Sequence, residues 1–136
     1  MKIAVRFYTR SGNTKKLAEA VAKSVSVEAK EVTVPLEEKV DILFLGCSYY
    51  AFDVDEAVKQ FILQNKEKLG KIVCFGTSAM MKSMRKPVSK VADTAGVVVA
   101  EEEFHCRGSF GPMHKGRPNT KDMEEVAAFA KKITKE

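Results

Sequence analysis

The 136-residue chain has no tryptophan, only two histidines, three cysteines and four prolines, and no long apolar run. Each shortage excludes something. The cysteines, Cys47, Cys74 and Cys106, are odd in number, widely spaced and without a Cys-x-x-Cys pair. That pattern fits neither a disulfide framework nor a structural zinc site. Neither histidine stands at metal-ligand spacing, so no metal is expected. The longest apolar stretches, Ile42 to Gly46 and Val97 to Ala100, fall far short of the roughly 20 residues that cross a bilayer. Near the N-terminus only Ile3-Ala4-Val5 precede Arg6 and Arg10, which is no signal-peptide core, and the chain reads as cytoplasmic with no membrane partner. Low-complexity segments and 20–50-residue repeats are missing as well, which leaves one domain over residues 1–136.

Hydrophobic residues make up 45% of the chain, enough for a core without covalent staples. Lysine and arginine exceed aspartate and glutamate by five, which favours an acidic partner, yet no Lys/Arg block of the nucleic-acid kind occurs. Strand-like and helix-like periods alternate. Strands are expected over Lys2–Tyr8, Ala29–Val34, Asp41–Cys47, Lys71–Thr77 and Val97–Phe104. Helices are expected over Asn13–Val25, over Asp53–Leu69 with Asp53 or Asp55 as cap and Gly70 as stop, from Pro87 to Gly96, and over Thr120–Lys132. Such alternation implies an α/β domain, a parallel sheet with helices on both faces, whose ligands bind beyond the carboxyl ends of the strands.

The first such loop is Thr9-Arg10-Ser11-Gly12-Asn13-Thr14. Three hydroxyls, an amide and a glycine between a strand and a helix start suit a phosphate, because unpaired N–H groups and the helix dipole favour an anion there. A plain helix cap made by Ser11 or Asn13 would use some of the same residues. No Gly-x-Gly-x-x-Gly and no Walker loop occurs, which disfavours a dinucleotide or nucleoside triphosphate.

The stretch Phe7-Tyr8-Thr9-Arg10-Ser11-Gly12-Asn13-Thr14-Lys15-Lys16-Leu17-Ala18, continued by Val21, resembles the flavodoxin signature. It departs from the family's pattern at Arg6, normally an apolar position, and at Pro35–Lys39, where the second helix is shortened or absent. The resemblance implies a doubly wound sheet of five parallel strands in the order 2-1-3-4-5. It also implies FMN as cofactor, its phosphate held by Thr9, Arg10, Ser11, Gly12, Asn13 and Thr14, though binding does not require Arg10. Other relatives of the fold fail on their nucleophile. A phosphorelay receiver needs an aspartate where this chain has Gly46-Cys47-Ser48, and a low-molecular-weight phosphatase needs a cysteine where it has Thr9.

By the same resemblance the isoalloxazine ring lies between the loops after the third and fourth strands. Those contribute Ser48, Tyr49, Tyr50, Ala51 and Phe52 on one side and Thr77, Ser78, Ala79, Met80 and Lys82 on the other. One aromatic of the Tyr49, Tyr50, Phe52 cluster is expected to stack on the ring, the competing reading being a small satellite core beneath the loop. Met80 and Met81 serve equally as packing.

No acidic residue falls between Ala79 and Ala92 or between His105 and Asn119, whereas Lys82, Arg85, Lys86, Lys90, Arg107, Lys115 and Arg117 do. A positive rim follows, or else a merely solvated basic face. A positive rim would raise the potential of the lower redox couple relative to acidic family members and would suit an acidic redox protein or a small anionic substrate. Cys106, between His105 and Arg107 in a long loop, is either a thiol of lowered pKa or a structural one. The resemblance implies an electron carrier, its flavin cycling between oxidised, semiquinone and hydroquinone, with no catalytic side chain; a monomer is favoured. The alternative is a small FMN-dependent oxidoreductase using NAD(P)H and a quinone, with His105 or Cys106 taking part. A binding module that has lost flavin is a third reading.

Overall fold

The computed structural model describes residues 1–9, 12–48, 55–77, 85–106 and 116–135. The described elements are β1 (Ile3–Tyr8), α1 (Asn13–Ser24), β2 (Ala29–Glu31), β3 (Val40–Ser48), α2 (Glu56–Asn65), β4 (Leu69–Thr77), α3 (Arg85–Ala95), β5 (Val98–Cys106) and α4 (Thr120–Thr134). All strand pairs are parallel and the sheet order is β2-β1-β3-β4-β5, as the sequence implies.

Two apolar layers sandwich this sheet because the strands are hydrophobic on both faces. Val5, Phe7, Phe44, Val73 and Phe75 point to α1 and α4, where Leu17, Val21, Val126 and Ala130 meet them. Their neighbours Ala4, Leu43, Leu45, Ile72 and Cys74 point to Val58, Phe61 and Ile62 of α2 and Val88 and Ala92 of α3. Alternation along each strand thus sorts one sequence into two cores.

Several boundaries differ from the sequence expectation. The helix α2 ends at Asn65 rather than Leu69, and a single 3₁₀ turn, Lys66–Lys68, leads straight into β4. Gly70 therefore does not stop a helix. It lies in β4, where a Cβ would fall 2.6 Å from the Asp41 carbonyl oxygen. Of the two candidate caps, Asp55 accepts from the Ala57 amide at 2.9 Å, while Asp53 lies outside the described residues. The strand β2 stops at Glu31 instead of Val34, and β5 runs on to Cys106 because Gly76 and Thr77 pair with His105 and Cys106. Between Ile72 and Cys74 the β4–β5 register shifts, leaving β5 with three residues opposite one.

No helix is described between β2 and β3. The connection is instead pinned by polar groups. Arg6, only 6% exposed, donates from Nε to the Val34 carbonyl (2.9 Å), from Nη2 to Pro35 (3.2 Å) and from Nη1 to Val5 (3.1 Å). Asn65 accepts from the Leu36 amide at 3.0 Å and donates to the Phe61 carbonyl at 2.9 Å, and Lys68 Nζ donates to the Leu36 carbonyl. Leu36 itself is buried among the α2-side residues, where it occupies part of the space a crossover helix would fill.

Candidate functional site at the carboxyl edge of the sheet

The strand order reverses between β1 and β3, and the start of α1 sits at that switch point. Gly12 is the residue before the helix, in the left-handed region at φ 87°, with no side-chain cap bond among the described residues. Asn13, one of the two residues of the alternative cap reading, is already the first helical residue and buried, so it does not stand at the cap position; Ser11 lies outside the described residues. The other helix starts differ. Asp55 caps α2, and on α4 Asn119 and Asp122 form a reciprocal capping box.

Nothing acidic occupies the first turn of α1, so the positive end of its dipole is unopposed by its own residues. A Cβ on Gly12 would meet nothing within 4 Å, which leaves room for a ligand to approach the backbone. Thr9 Oγ1 accepts from the Gly12 amide at 3.0 Å, which closes the turn and leaves the hydroxyl proton of Thr9 to be donated elsewhere. Replacing Gly12 by alanine is expected to cost about 1–2 kcal/mol through the forced left-handed conformation, measurable by denaturant unfolding.

Beneath the turn, Thr14 and Thr77 are both buried and their hydroxyls are 3.1 Å apart. Gly46 of β3 makes this arrangement possible. A Cβ there would fall 2.5 Å from the Phe75 ring and 3.0 Å from the Thr14 methyl group, so Thr14 seats its methyl in a notch that only glycine leaves open. Gly46 is absent from the expected site. Its signal was a glycine in a strand otherwise apolar, the mark of a close approach.

Thus the structure brings Thr9, Gly12, Asn13, Thr14 and Thr77 together, and Ser48 ends β3 on the same edge. Arg10, Ser11, Tyr49, Tyr50, Ala51, Phe52, Ser78, Ala79, Met80 and Lys82 lie outside the described residues. A sequence model of the flavodoxin domain matches residues 4–123. The chain belongs to the flavodoxin family. A search of curated protein sequences finds no match. Among solved structures, a flavodoxin from the domain Archaea superposes with TM-score 0.80 at 18% identity, covering 99% of this chain and 97% of that one. Flavodoxin 1 from Bacillus cereus superposes with TM-score 0.70 at 19% identity, covering 99% and 98%. A flavoprotein in complex with FMN from Lactobacillus acidophilus does so with TM-score 0.65 at 19% identity, covering 78% and 92%.

Of the residues expected to form a positive rim on this flavodoxin-family chain, Lys82, Arg107 and Lys115 lie outside the described residues and two others have structural duties. Arg85 donates from Nε to the Ala100 carbonyl at 2.8 Å, bracing the irregular part of β5. Arg117 forks onto Asp122 with bonds of 2.7 and 3.0 Å, and Asp122 also accepts from the Asn119 amide. The Arg117 fork and the amide bond hold the Asp122 carboxyl below its usual pKa against the opposing effect of burial. Lys86 and Lys90 stand exposed on α3.

Of the two readings of Cys106, the geometry agrees with the structural one. The residue closes β5, packs on the α4-side core and is buried, and burial, with Asp122 nearby, pushes its thiol up to about 12 rather than down. Arg107, the neighbouring cation that favoured a reactive thiol, lies outside the described residues, and Arg117, which does act to lower the Cys106 thiol, is already engaged by Asp122. Burial likewise raises Cys47 to about 12 and Cys74 well above the ordinary thiol value. All three should resist a thiol reagent in the native state at pH 8 and react together on unfolding. Because their folded pKa values are raised, the fold keeps protons that the unfolded chain releases. Stability should therefore be full below the ordinary thiol pKa of 9.0 and decline as pH rises from there toward 12, measurable by urea titration at several pH values.

Proposed function

We propose that this protein binds FMN without a covalent bond at the carboxyl edge of the sheet and serves as an electron carrier. The observation that carries the reading is the start of α1, where Gly12 turns in the left-handed region and sets the first helical turn beside Thr9, Asn13 and Thr14 at the β1/β3 switch point, with nothing acidic in that turn. The described residues fit the phosphate end of the cofactor. Backbone N–H groups of the first helical turn and the hydroxyls of Thr9 and Thr14 would hold the phosphate, and the loops that begin at Ser48 and Thr77 would flank the ring. When bound, FMN supplies one- and two-electron redox chemistry over three oxidation states. The chain's own residues bind and orient it, exclude water from its phosphate and leave the acid–base work undone.

Family membership and the FMN named in the Lactobacillus acidophilus complex support the cofactor. The oxidoreductase alternative, which drew on His105 or Cys106, loses the support of the second, because the Cys106 thiol is buried and held protonated. Lys86 and Lys90 and the net charge of +5 support an acidic redox protein or a small anionic molecule as partner, in the cytoplasm. The test is titration of the purified protein with FMN, followed by flavin fluorescence and absorption, and then incubation with NAD(P)H and a quinone. Tight binding that weakens markedly for riboflavin, with no turnover of NAD(P)H, is the expected result. Turnover would make the protein an enzyme, and absence of FMN binding would end the flavin reading.

A further inference from the structure

We propose that Thr77, which the resemblance set beside the ring, is instead a positioning residue for the phosphate, turned inward onto Thr14 and acting through it without touching the ligand; this rests on the FMN reading above. Three observations converge on it. The two hydroxyls are 3.1 Å apart and either could donate. Both residues are buried, at 0% and 2% exposure. The Thr14 methyl is held in the notch at Gly46, which fixes the rotamer and with it the direction of the hydroxyl.

A threonine hydroxyl has one proton to give and can accept as well. A phosphate dianion at the start of α1 offers only acceptor atoms, so a Thr14 hydroxyl that reaches it donates. The bond between the threonines then has one possible direction: Thr77 donates and Thr14 accepts. Polarised by Thr77, the Thr14 hydroxyl becomes a stronger donor, because a chain of hydrogen bonds in a dry site strengthens its members. No proton changes owner and no bond is broken. Thr77 also closes β4, immediately before the loop expected to flank the ring, so the same bond joins the phosphate end of the site to its ring end.

The site therefore discriminates between flavins with and without a phosphate partly through a residue that does not contact it. Thr77→Val keeps the shape and removes the donor. It should weaken FMN by about five- to tenfold, the range of one net hydrogen bond. Riboflavin, which lacks the phosphate, should change by less than about twofold, within the scatter of independent sites. Thr77→Ser should restore FMN affinity. Thr77→Cys, of similar size and a far weaker donor, gives the same ratio should the valine variant fail to fold. Equal weakening of FMN and riboflavin, or unchanged FMN affinity, overturns the proposal. Inorganic phosphate separates the two levels of inference. If wild type binds phosphate in a Thr77-dependent way but not FMN, the relay stands and the flavin reading falls, whereas binding of neither overturns both.

Discussion

Replacing Arg6 by methionine should destabilise the protein by about 3 kcal/mol and lower its melting temperature by about 10 °C. The side chain is buried, and its guanidinium gathers the carbonyls of Val5, Val34 and Pro35. Methionine would fill similar volume but leave those acceptors without their donor, two of them in a connection that has no helix to satisfy its backbone. Losing a hydrogen bond to a charged group costs more than losing a neutral one, and orphaned acceptors add their own desolvation. Arg6→Lys should recover only part of the loss, because a single ammonium cannot present donors in the same planar fork. Urea unfolding of the three proteins reads the order wild type, lysine, methionine. Equal stability of wild type and the methionine variant would show that the connection is held by Leu36, Asn65 and Lys68 alone.

Gly46→Ala should lower FMN affinity by at least about tenfold and cost about 2 kcal/mol of stability, the usual size of overpacking in a filled core. The added methyl would fall 2.5 Å from two carbons of Phe75, a ring with no exposed surface, and 3.0 Å from the Thr14 methyl. Phe75 is buried in the core between the sheet and α1 and α4, so the strain is expected to pass to Thr14 and the first turn of α1, which are the proposed phosphate contacts. A second substitution, Phe75→Leu, makes room on the other side. The double variant should be less destabilised than the sum of the two single ones, a coupling that a double-mutant cycle measures directly. Additive losses would mean that the methyl is accommodated elsewhere, and unchanged FMN affinity would place the ligand away from Thr14.

Strands, helices and their order were legible because hydrophobic period and turn residues act locally, and the loop Thr9–Thr14 stood out for the same reason. Features set by pairing across the sheet were not. His105 and Cys106 have the composition of a loop, and only their register with Gly76 and Thr77 draws them into β5. Arg6 could be singled out as odd, but its reason lies in carbonyls nearly thirty residues away. Gly46 matters through two residues on different elements, which no local pattern places beside it. The stop assigned to Gly70 failed for a related reason, since a glycine serves a close strand contact as readily as a helix end.

The irregular outer strand bears on how molecules of this protein meet one another. A parallel sheet ends in an unpaired row of amides and carbonyls, an invitation to a neighbouring chain. Here β2 offers only three residues, and the nine of β5 are interrupted where its register against β4 slips. Glu101 and Glu102, both exposed, fall in that slipped stretch, and Glu103 follows where pairing resumes opposite Cys74. A second copy laying its own β5 alongside would bring carboxylates against carboxylates and find no continuous ladder to join. Among the described residues no further strand joins either margin of the sheet, and the distortion that Arg85 braces is expected to oppose edge-to-edge pairing between copies.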